Sequence, residues 1–370
     1  MSTFYINSVV QNGAICLTYG HDGQVLYAKI EDYKPCLFTM TPNETPYTEL
    51  ITRKNVQKIK FDSIKHANKA IKEARELPDM KYYGNRNYNL TFLHENFKDM
   101  ETSYDPKMIR GFDIDIECPA EHGFPCPIKA EWPINVMCIR DSITGIYHVW
   151  GDKAFDIDVE TERFKKEGIV PNTVKYYHIP DEGELLQSVL DFWTSNYPAY
   201  ISGWNTAGFD LPYLYNRMRR FGLKVKTLSP WNNVWVKEFE VFGKPAQNIS
   251  IAGIADLDYL DLYKKNRFIT RESYKLGFIA EIELCKDKVD FSEVASDLRT
   301  LHKKDWQTYV VYNIVDTALI NQFDEKLGFI GITFAVAYAS GINYDDVSSP
   351  VGTWEQIMYR ETIKDNVILP

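Results

Sequence analysis

The sequence predicts a layered α/β domain preceded by a smaller α+β domain, and three observations carry that prediction. The chain has 370 residues, beyond the roughly 250–300 at which a single hydrophobic core stops growing. Its composition is globular, with 45% hydrophobic and 25% charged residues, which excludes disorder or low complexity as its main state. At Arg110 the hydrophobic pattern changes from closely spaced strands to strands alternating with helices.

The first 60 residues carry the runs TFYINSVV, AICLTYG and QVLYAKI, separated by Asn12-Gly13 and Asp22-Gly23. Such dipeptides accept the positive φ of two-residue hairpin turns, so this region reads as a β-meander. Ser63 is the expected N-cap of a helix over SIKHANKAIKEAREL, with Pro78 soon after its end. Beyond Arg110, strands are expected at 111–117, 134–139, 146–150 and 174–179, and a helix at 184–196. A buried strand at 198–204 leads into the helix DLPYLYNRMRRFG, closed by Gly222. Residues 234–254 read as a hairpin with Gly243 at its tip. Helices follow at 256–265, 274–282 and 305–326, and 329–366 is helical again with a break near Ser348-Ser349-Pro350.

Several function classes are excluded by composition. With 42 Lys and Arg against 51 Asp and Glu, the net charge is −9. That argues against a general nucleic-acid coating protein, though not against an enzyme whose carboxylates meet DNA through divalent cations. The start, MSTFYINSVVQNG, has no basic segment followed by an apolar run, so the cell interior is the expected compartment. The six cysteines form no CxxC pair and the histidines show no ligand spacing, which argues against a zinc ribbon or a disulfide framework. The uncharged stretch between Lys326 and Asp345 is broken by Gly328, Gly331, Ser340, Gly341 and Asn343, too often for a membrane span of about 20 apolar residues.

Three segments carry chemistry. In FDIDIE, Asp113, Asp115 and Glu117 alternate with Phe112, Ile114 and Ile116. A strand repeats every two residues, so the three acids share one face and the apolar residues enter the core. Like charges on one face are costly unless a cation neutralises them, but a solvated strand edge explains the pattern equally well. GWNTAGFDLPYLYNR puts Asp210 in the first turn of a helix, where N-capping alone accounts for a carboxylate. YNIVD places Tyr312 and Asp316 four apart, on one helical face. A core tyrosine beside a surface acid is the plain alternative there.

In combination, the three segments resemble the Exo I (Asp-x-Glu), Exo II (Asn-x-x-x-Phe-Asp) and Exo III (Tyr-x-x-x-Asp) motifs of proofreading 3′→5′ exonucleases of the tyrosine-type DEDD class. The likeness runs from YKPCLF to SSPVGTWEQIM and is most specific at GFPCP, GWNTAGFDLPYLYNR, LDYLDLYKK and YNIVDT. It is a likeness to the N-terminal and exonuclease portions of family B DNA polymerases of T-even-type bacteriophages. The resemblance implies an RNase H-like exonuclease domain, a mixed β-sheet flanked by helices, over residues 110–328. It implies an α+β N-terminal domain over 1–109 and a helical return segment over 329–370 that packs on it.

By position, Asp115 and Glu117 match Exo I, Asp210 matches Exo II, and Tyr312 and Asp316 match Exo III. Position 311 is Val, so the class with a His five residues before the last Asp does not fit. Asp113 is an added acid that either supports the Exo I pair or competes for metal. The resemblance implies two divalent ions, Mg2+ or Mn2+, which oxygen-only ligands suit. Asp115, Glu117, Asp210 and Asp316 would hold them and Tyr312 would orient the attacking water. Phe124 is a candidate stacking ring or a loop residue packed on the core. Trp204 and Asn205 border the site by resemblance, with helix-entry capping the alternative for Asn205. The hairpin near Phe242–Pro245 resembles an element that helps separate primer from template. Basic residues at Arg217, Arg219, Arg220, Lys224, Lys226, Lys264, Lys265 and Arg267 either track phosphates or are solvated helix ends.

The expected partners are a single-stranded DNA 3′ end or primer-template DNA and, if the protein is naturally split, a polymerase module in trans. The implied compartment is the cytoplasm of an infected bacterial cell. SLYPS-like and YGDTDS motifs are absent before Pro370, so the expectation is that these residues alone do not polymerise DNA. Two further readings are an RNA-binding, regulatory or scaffold module acting through the N-terminal domain and a free-standing DEDD nuclease.

Overall fold

The computed structural model describes residues 3–77, 80–97, 104–120, 123–241, 243–286, 295 and 298–370. They divide into two compact units, Met1–Met108 with Ile332–Pro370, and Ile109–Gly331.

In the first unit, β1 (Thr3–Gln11), β2 (Ala14–His21) and β3 (Gln24–Ile30) form the antiparallel meander. Its turns have φ of 54° and 87° at Asn12-Gly13 and 50° and 78° at Asp22-Gly23, the double positive φ that right-twisted hairpins select. β4 (Cys36–Met40), β5 (Tyr47–Glu49) and β6 (Asn55–Lys60) form a second sheet, in which the late strand Val367–Ile368 pairs in parallel with β5. The Ser63 hydroxyl accepts the His66 N–H at 3.2 Å and starts α1 (Ile64–Ala74). Ile64, Ala67 and Ile71 then bury against Ile15 and Leu37. Pro78 lies outside the described residues. α2 (Tyr88–Asn96), absent from the sequence reading, packs on β1. The side chain of Asn343 pairs with Ser8 as a strand would, accepting its N–H at 2.8 Å and donating to its C=O at 2.9 Å.

The second unit is built on a six-stranded sheet. β7 (Gly111–Glu117), β8 (Val136–Asp141) and β9 (Tyr147–Gly151) are antiparallel neighbours. β10 (Val174–His178) runs parallel to β9 on one side. On the other, β11 (Tyr200–Ser202) runs parallel to β7 and is followed by β14 (Ala255–Asp256). β12 (Val234–Val241) and β13 (Lys244–Ile251) form a separate hairpin. The helices are α3 (Thr161–Lys166), α4 (Glu182–Ser195), α5 (Asp210–Arg220), α6 (Tyr259–Asn266), α7 (Leu276–Leu284), α8 (Leu298–Lys304) and α9 (Trp306–Leu327).

Strand alternation in β7 divides its two faces as expected. Phe112, Ile114 and Ile116 join Leu186, Val189 and Trp193 of α4 and Leu214 of α5 in the core. α9 crosses the opposite face over β7 and β8, which is the face of the acids. Asp305 caps α9 by accepting the Thr308 N–H at 3.0 Å, and Gly328 closes it at φ 68°. Among the described residues, no helix is long and apolar enough to cross a membrane.

β11 is shorter than the expected strand over 198–204 because the chain leaves the sheet at Gly203. A Cβ there would stand 2.6 Å from the Ile114 carbonyl oxygen and 2.4 Å from Thr206 Cγ2. Only glycine permits that approach between the end of β11 and β7. Gly203→Ala is therefore expected to destabilise the protein by about 1–3 kcal/mol, the usual cost of overpacking a filled site, read as a lower urea midpoint. An unchanged midpoint would contradict the close packing.

Candidate active site

Exposure separates the candidate side chains from their neighbours. Along β7, Asp115 and Glu117 are half-buried while Gly111 through Ile114 and Ile116 are buried. Along α9, every residue from Thr308 to Ile320 is buried except Tyr312 and Asp316, which are half-buried. Two periodicities, two on the strand and four on the helix, thus bring four polar side chains to one interface between β7 and α9. Asn313 ties the elements together, its amide donating to Asp115 Oδ2 at 2.6 Å.

Asp113 belongs to the same strand face but is 4% exposed. It faces Arg140 across the β7–β8 pair and binds it, with Nη1 to Oδ2 at 3.2 Å.

Asp210 enters from the opposite side of β7. β11 ends opposite Asp113, so the Ile116 N–H lies beyond the parallel ladder, and Asp210 Oδ1 accepts it at 3.2 Å. The approach to Asp210 is held in turn by Asp258, which accepts the N–H groups of Asn205 (3.0 Å), Ala207 (3.1 Å) and Leu260 (2.9 Å). Asn205 sits at φ 70°, a left-handed conformation that Asn tolerates better than most residues. Asp258 and Asn313 were not singled out in the sequence. The available signals were their positions at the head of LDYLDLYKK and beside Tyr312 in YNIVD.

Residues 47–279 match the sequence pattern of DNA polymerase family B, exonuclease domain. The chain belongs to that family. Asp115, Glu117 and Asp210 fall inside the matched span, and Tyr312 and Asp316 beyond it. The chain is 32% identical to the DNA-directed DNA polymerase of Escherichia phage RB69 over 92% of its own length and 39% of the relative's. It is 28% identical to the DNA-directed DNA polymerase of Enterobacteria phage T4, over 100% of this chain and 42% of that one. A DNA polymerase catalytic subunit of Alcelaphine herpesvirus 1 is 26% identical over 56% of the chain and 20% of the relative. The chain thus spans about two-fifths of the length of the two phage relatives. The exonuclease domain of the family is RNase H-like, and the second unit has its mixed α/β architecture.

Electrostatics show how closely the acids of β7, α5 and α9 converge. Burial pushes the Asp115 carboxyl well above its ordinary value, and the charges of Asp210, Glu117 and Asp316 push it further, against the Asn313 amide. Asp210 is raised by burial and by Asp258 and Asp256, with the Ile116 N–H opposing. The charge of Asp316, then burial, raises the Tyr312 phenol, which also hydrogen-bonds Asp316. Burial lifts Asp113 to about 6 against the attraction of Arg140.

The donor set fits hard divalent cations, since Asp115, Glu117, Asp210 and Asp316 offer only oxygen. Asn313 adds a buried amide oxygen with no hydrogen-bond partner. Among the described residues, no three His, Cys, Asp or Glu side chains close on one point at ligand spacing.

The remaining candidates divide between surface and interior. Phe124 is 78% exposed, and its ring stands 4.9 Å from that of Phe209, the residue before Asp210. Trp204 is engaged inward, with Nε1 donating to the Tyr274 carbonyl at 2.9 Å and the ring against Tyr263 and Phe323. Arg217 is buried in an ion pair with Glu182 and donates to the Ala130 carbonyl at 3.0 Å. Arg267 pairs with buried Glu283 at 3.0 Å. Arg219, Arg220, Lys224, Lys226, Lys264 and Lys265 are exposed. Gly243 turns the β12–β13 hairpin at φ 73°, and Phe242 lies outside the described residues.

Raised acids stabilise the fold in their protonated form. That contribution is complete below the ordinary carboxylate range and is lost as pH rises through the raised folded values. In EDTA, Asp115→Asn should therefore raise Tm, and its advantage over the parent should grow from pH 5 to pH 8. A gain on the order of 1 kcal/mol corresponds to about 2–4 °C. A Tm lowered equally at both pH values would contradict the charge cluster.

Proposed function

We propose that the chain removes nucleotides from the 3′ end of DNA, as the proofreading exonuclease portion of a phage-type family B replicative polymerase. The observation that carries this reading is the meeting of three elements at β7, where Asp115 and Glu117 stand on the strand, Asp210 Oδ1 of α5 accepts the Ile116 N–H at 3.2 Å, and Asn313 of α9, beside Tyr312, donates to Asp115 Oδ2 at 2.6 Å. Acids from β7, α5 and α9 share one electrostatic field beside the Tyr312 phenol. Bound divalent cations, Mg2+ or Mn2+, supply a nucleophile at neutral pH and neutralise charge on the leaving oxygen. In this reading Asp115, Glu117, Asp210 and Asp316 hold the ions.

The remaining work falls to the chain's own side chains. Tyr312 keeps its proton at physiological pH, because Asp316 and burial raise the phenol. Its hydroxyl is thus a donor and acceptor that orients the attacking water. Phe124 presents an open ring face beside the start of α5, where a terminal base can stack without regard to sequence. Trp204 acts from behind this region by anchoring the segment that carries Asn205, whose amide in this reading hydrogen-bonds the substrate. The partner is a single-stranded 3′ end or a frayed primer-template, with the polymerase module in the same longer protein or in trans.

Digestion of a 5′-labelled single-stranded oligonucleotide with Mg2+ tests polarity, metal need and site together. A ladder shortening from the 3′ end is expected, faster than from a paired end, whose last base must first be unstacked. Asp115→Ala should lower the rate about a thousandfold or more. Tyr312→Phe should lower it modestly at a nearly unchanged Mn2+ requirement, while Asp316→Asn should impair both turnover and metal use. Three indistinguishable Mn2+ titration curves, for parent, Tyr312→Phe and Asp316→Asn, would overturn the assignment.

A further inference from the structure

Arg140 is the cation nearest to the acids in the strand register. On β8 it lies directly opposite Asp113, and Cys138, two residues earlier on the same face, lies opposite Asp115. Arg140 is therefore the diagonal neighbour of Asp115, a separation of about 7–8 Å that long side chains bridge across a strand pair. Its side chain is 13% exposed, so its charge must find a partner in the interior. Asp113 is that partner, at 3.2 Å, and the guanidinium also lies 5.9 Å from the Tyr147 ring. The other carboxylate near Asp113 is Asp324, which already accepts the Ile330 N–H at 2.9 Å and the Tyr259 hydroxyl at 3.2 Å.

We propose that Asp113 is a positioning residue that holds the Arg140 guanidinium away from Asp115, so that the Asp115 carboxylate oxygens stay open to divalent cations. Without Asp113, a buried and uncompensated guanidinium is drawn to Asp115, the diagonal acid on the same face. An ion pair there competes with metal for the same oxygens. The inference rests on the nuclease reading of the site, and it gives the third acid of FDIDIE a task distinct from metal binding.

Three variants, Asp113→Asn, Arg140→Met and the two combined, test it by Mn2+ binding followed with electron paramagnetic resonance and by Mn2+-dependent cleavage. Circular dichroism confirms folding. Asp113→Asn should weaken Mn2+ binding about tenfold, the scale on which residues supporting metal ligands act, and should raise the Mn2+ needed for half-maximal cleavage in parallel. Adding Arg140→Met should return both quantities to within about twofold of the parent, because the competing cation is gone. Arg140→Met alone should bind Mn2+ as tightly as the parent or more so. A purely structural role for the ion pair predicts instead that the double variant is no better than Asp113→Asn. That result, or unchanged Mn2+ binding in Asp113→Asn, overturns the proposal while leaving the nuclease reading intact. The expected binding pattern without any cleavage by the parent overturns the nuclease reading alone. A parent that binds no Mn2+ overturns both.

Discussion

The constraint on which the second unit depends is the confinement of like charges. The charges of Glu117, Asp210 and Asp316 all bear on Asp115, and burial already disfavours the ionised forms of Asp115 and Asp210. A structure that holds them there must spend packing and hydrogen bonds against that repulsion. β7 is held between two neighbouring strands, with the Phe112, Ile114 and Ile116 face sealed by α4 and α5. α9 is buried through one turn on either side of Tyr312 and Asp316. Asp210 is tethered to β7 through the Ile116 N–H, and Asn313 bridges from α9 to Asp115. Each acid is therefore carried by a rigid element, as the proposed metal site requires if its ligands are to be held to about 0.5 Å.

The connections around the site follow from the same constraint. The chain passes from β11 to α5 through Gly203, Trp204 and Asn205, and each is held for a different reason. Gly203 permits contact with the β7 backbone, Trp204 locks onto the Tyr274 carbonyl, and Asn205 accepts a left-handed backbone while Asp258 holds its N–H. Asp258 pins the loop before α5 and also caps α6. The GFPCP segment is fastened at Pro127, whose carbonyl accepts the Asn216 amide at 3.0 Å. Phe124 nearby remains open.

Much of this was legible in the sequence because strand and helix periods are local properties. Alternation in FDIDIE and the four-residue step in YNIVD placed their side chains on the right faces. The same reasoning has a limit that the chain itself displays. Phe155–Glu160 reads FDIDVE, nearly the same hexapeptide, yet it forms a turn and not a strand. There Asp156 exchanges backbone hydrogen bonds with the Gln307 side chain, and Glu160 is buried against Arg163. Neighbouring strands, absent from the hexapeptide, decide which copy becomes β7. Charge was misleading in the same way, since Arg217 sits in a basic run but is buried against Glu182. The partner of Asp113 was not legible either, because Arg140 reaches it only through the β7–β8 register.

The family match and the likeness to the two phage polymerases place this chain among family B exonuclease domains, and about two-fifths of those relatives is represented in it. The central claim is narrower, that acids from β7, α5 and α9 form one divalent-metal centre. Anomalous scattering from crystals soaked in Mn2+ tests it most directly. The account predicts one or two peaks, about 4 Å apart if two, within ligand distance of Asp115 and bounded by Glu117, Asp210 and Asp316. Peaks confined to other acids, such as Asp156 and Asp158, or none at saturating Mn2+, would contradict it.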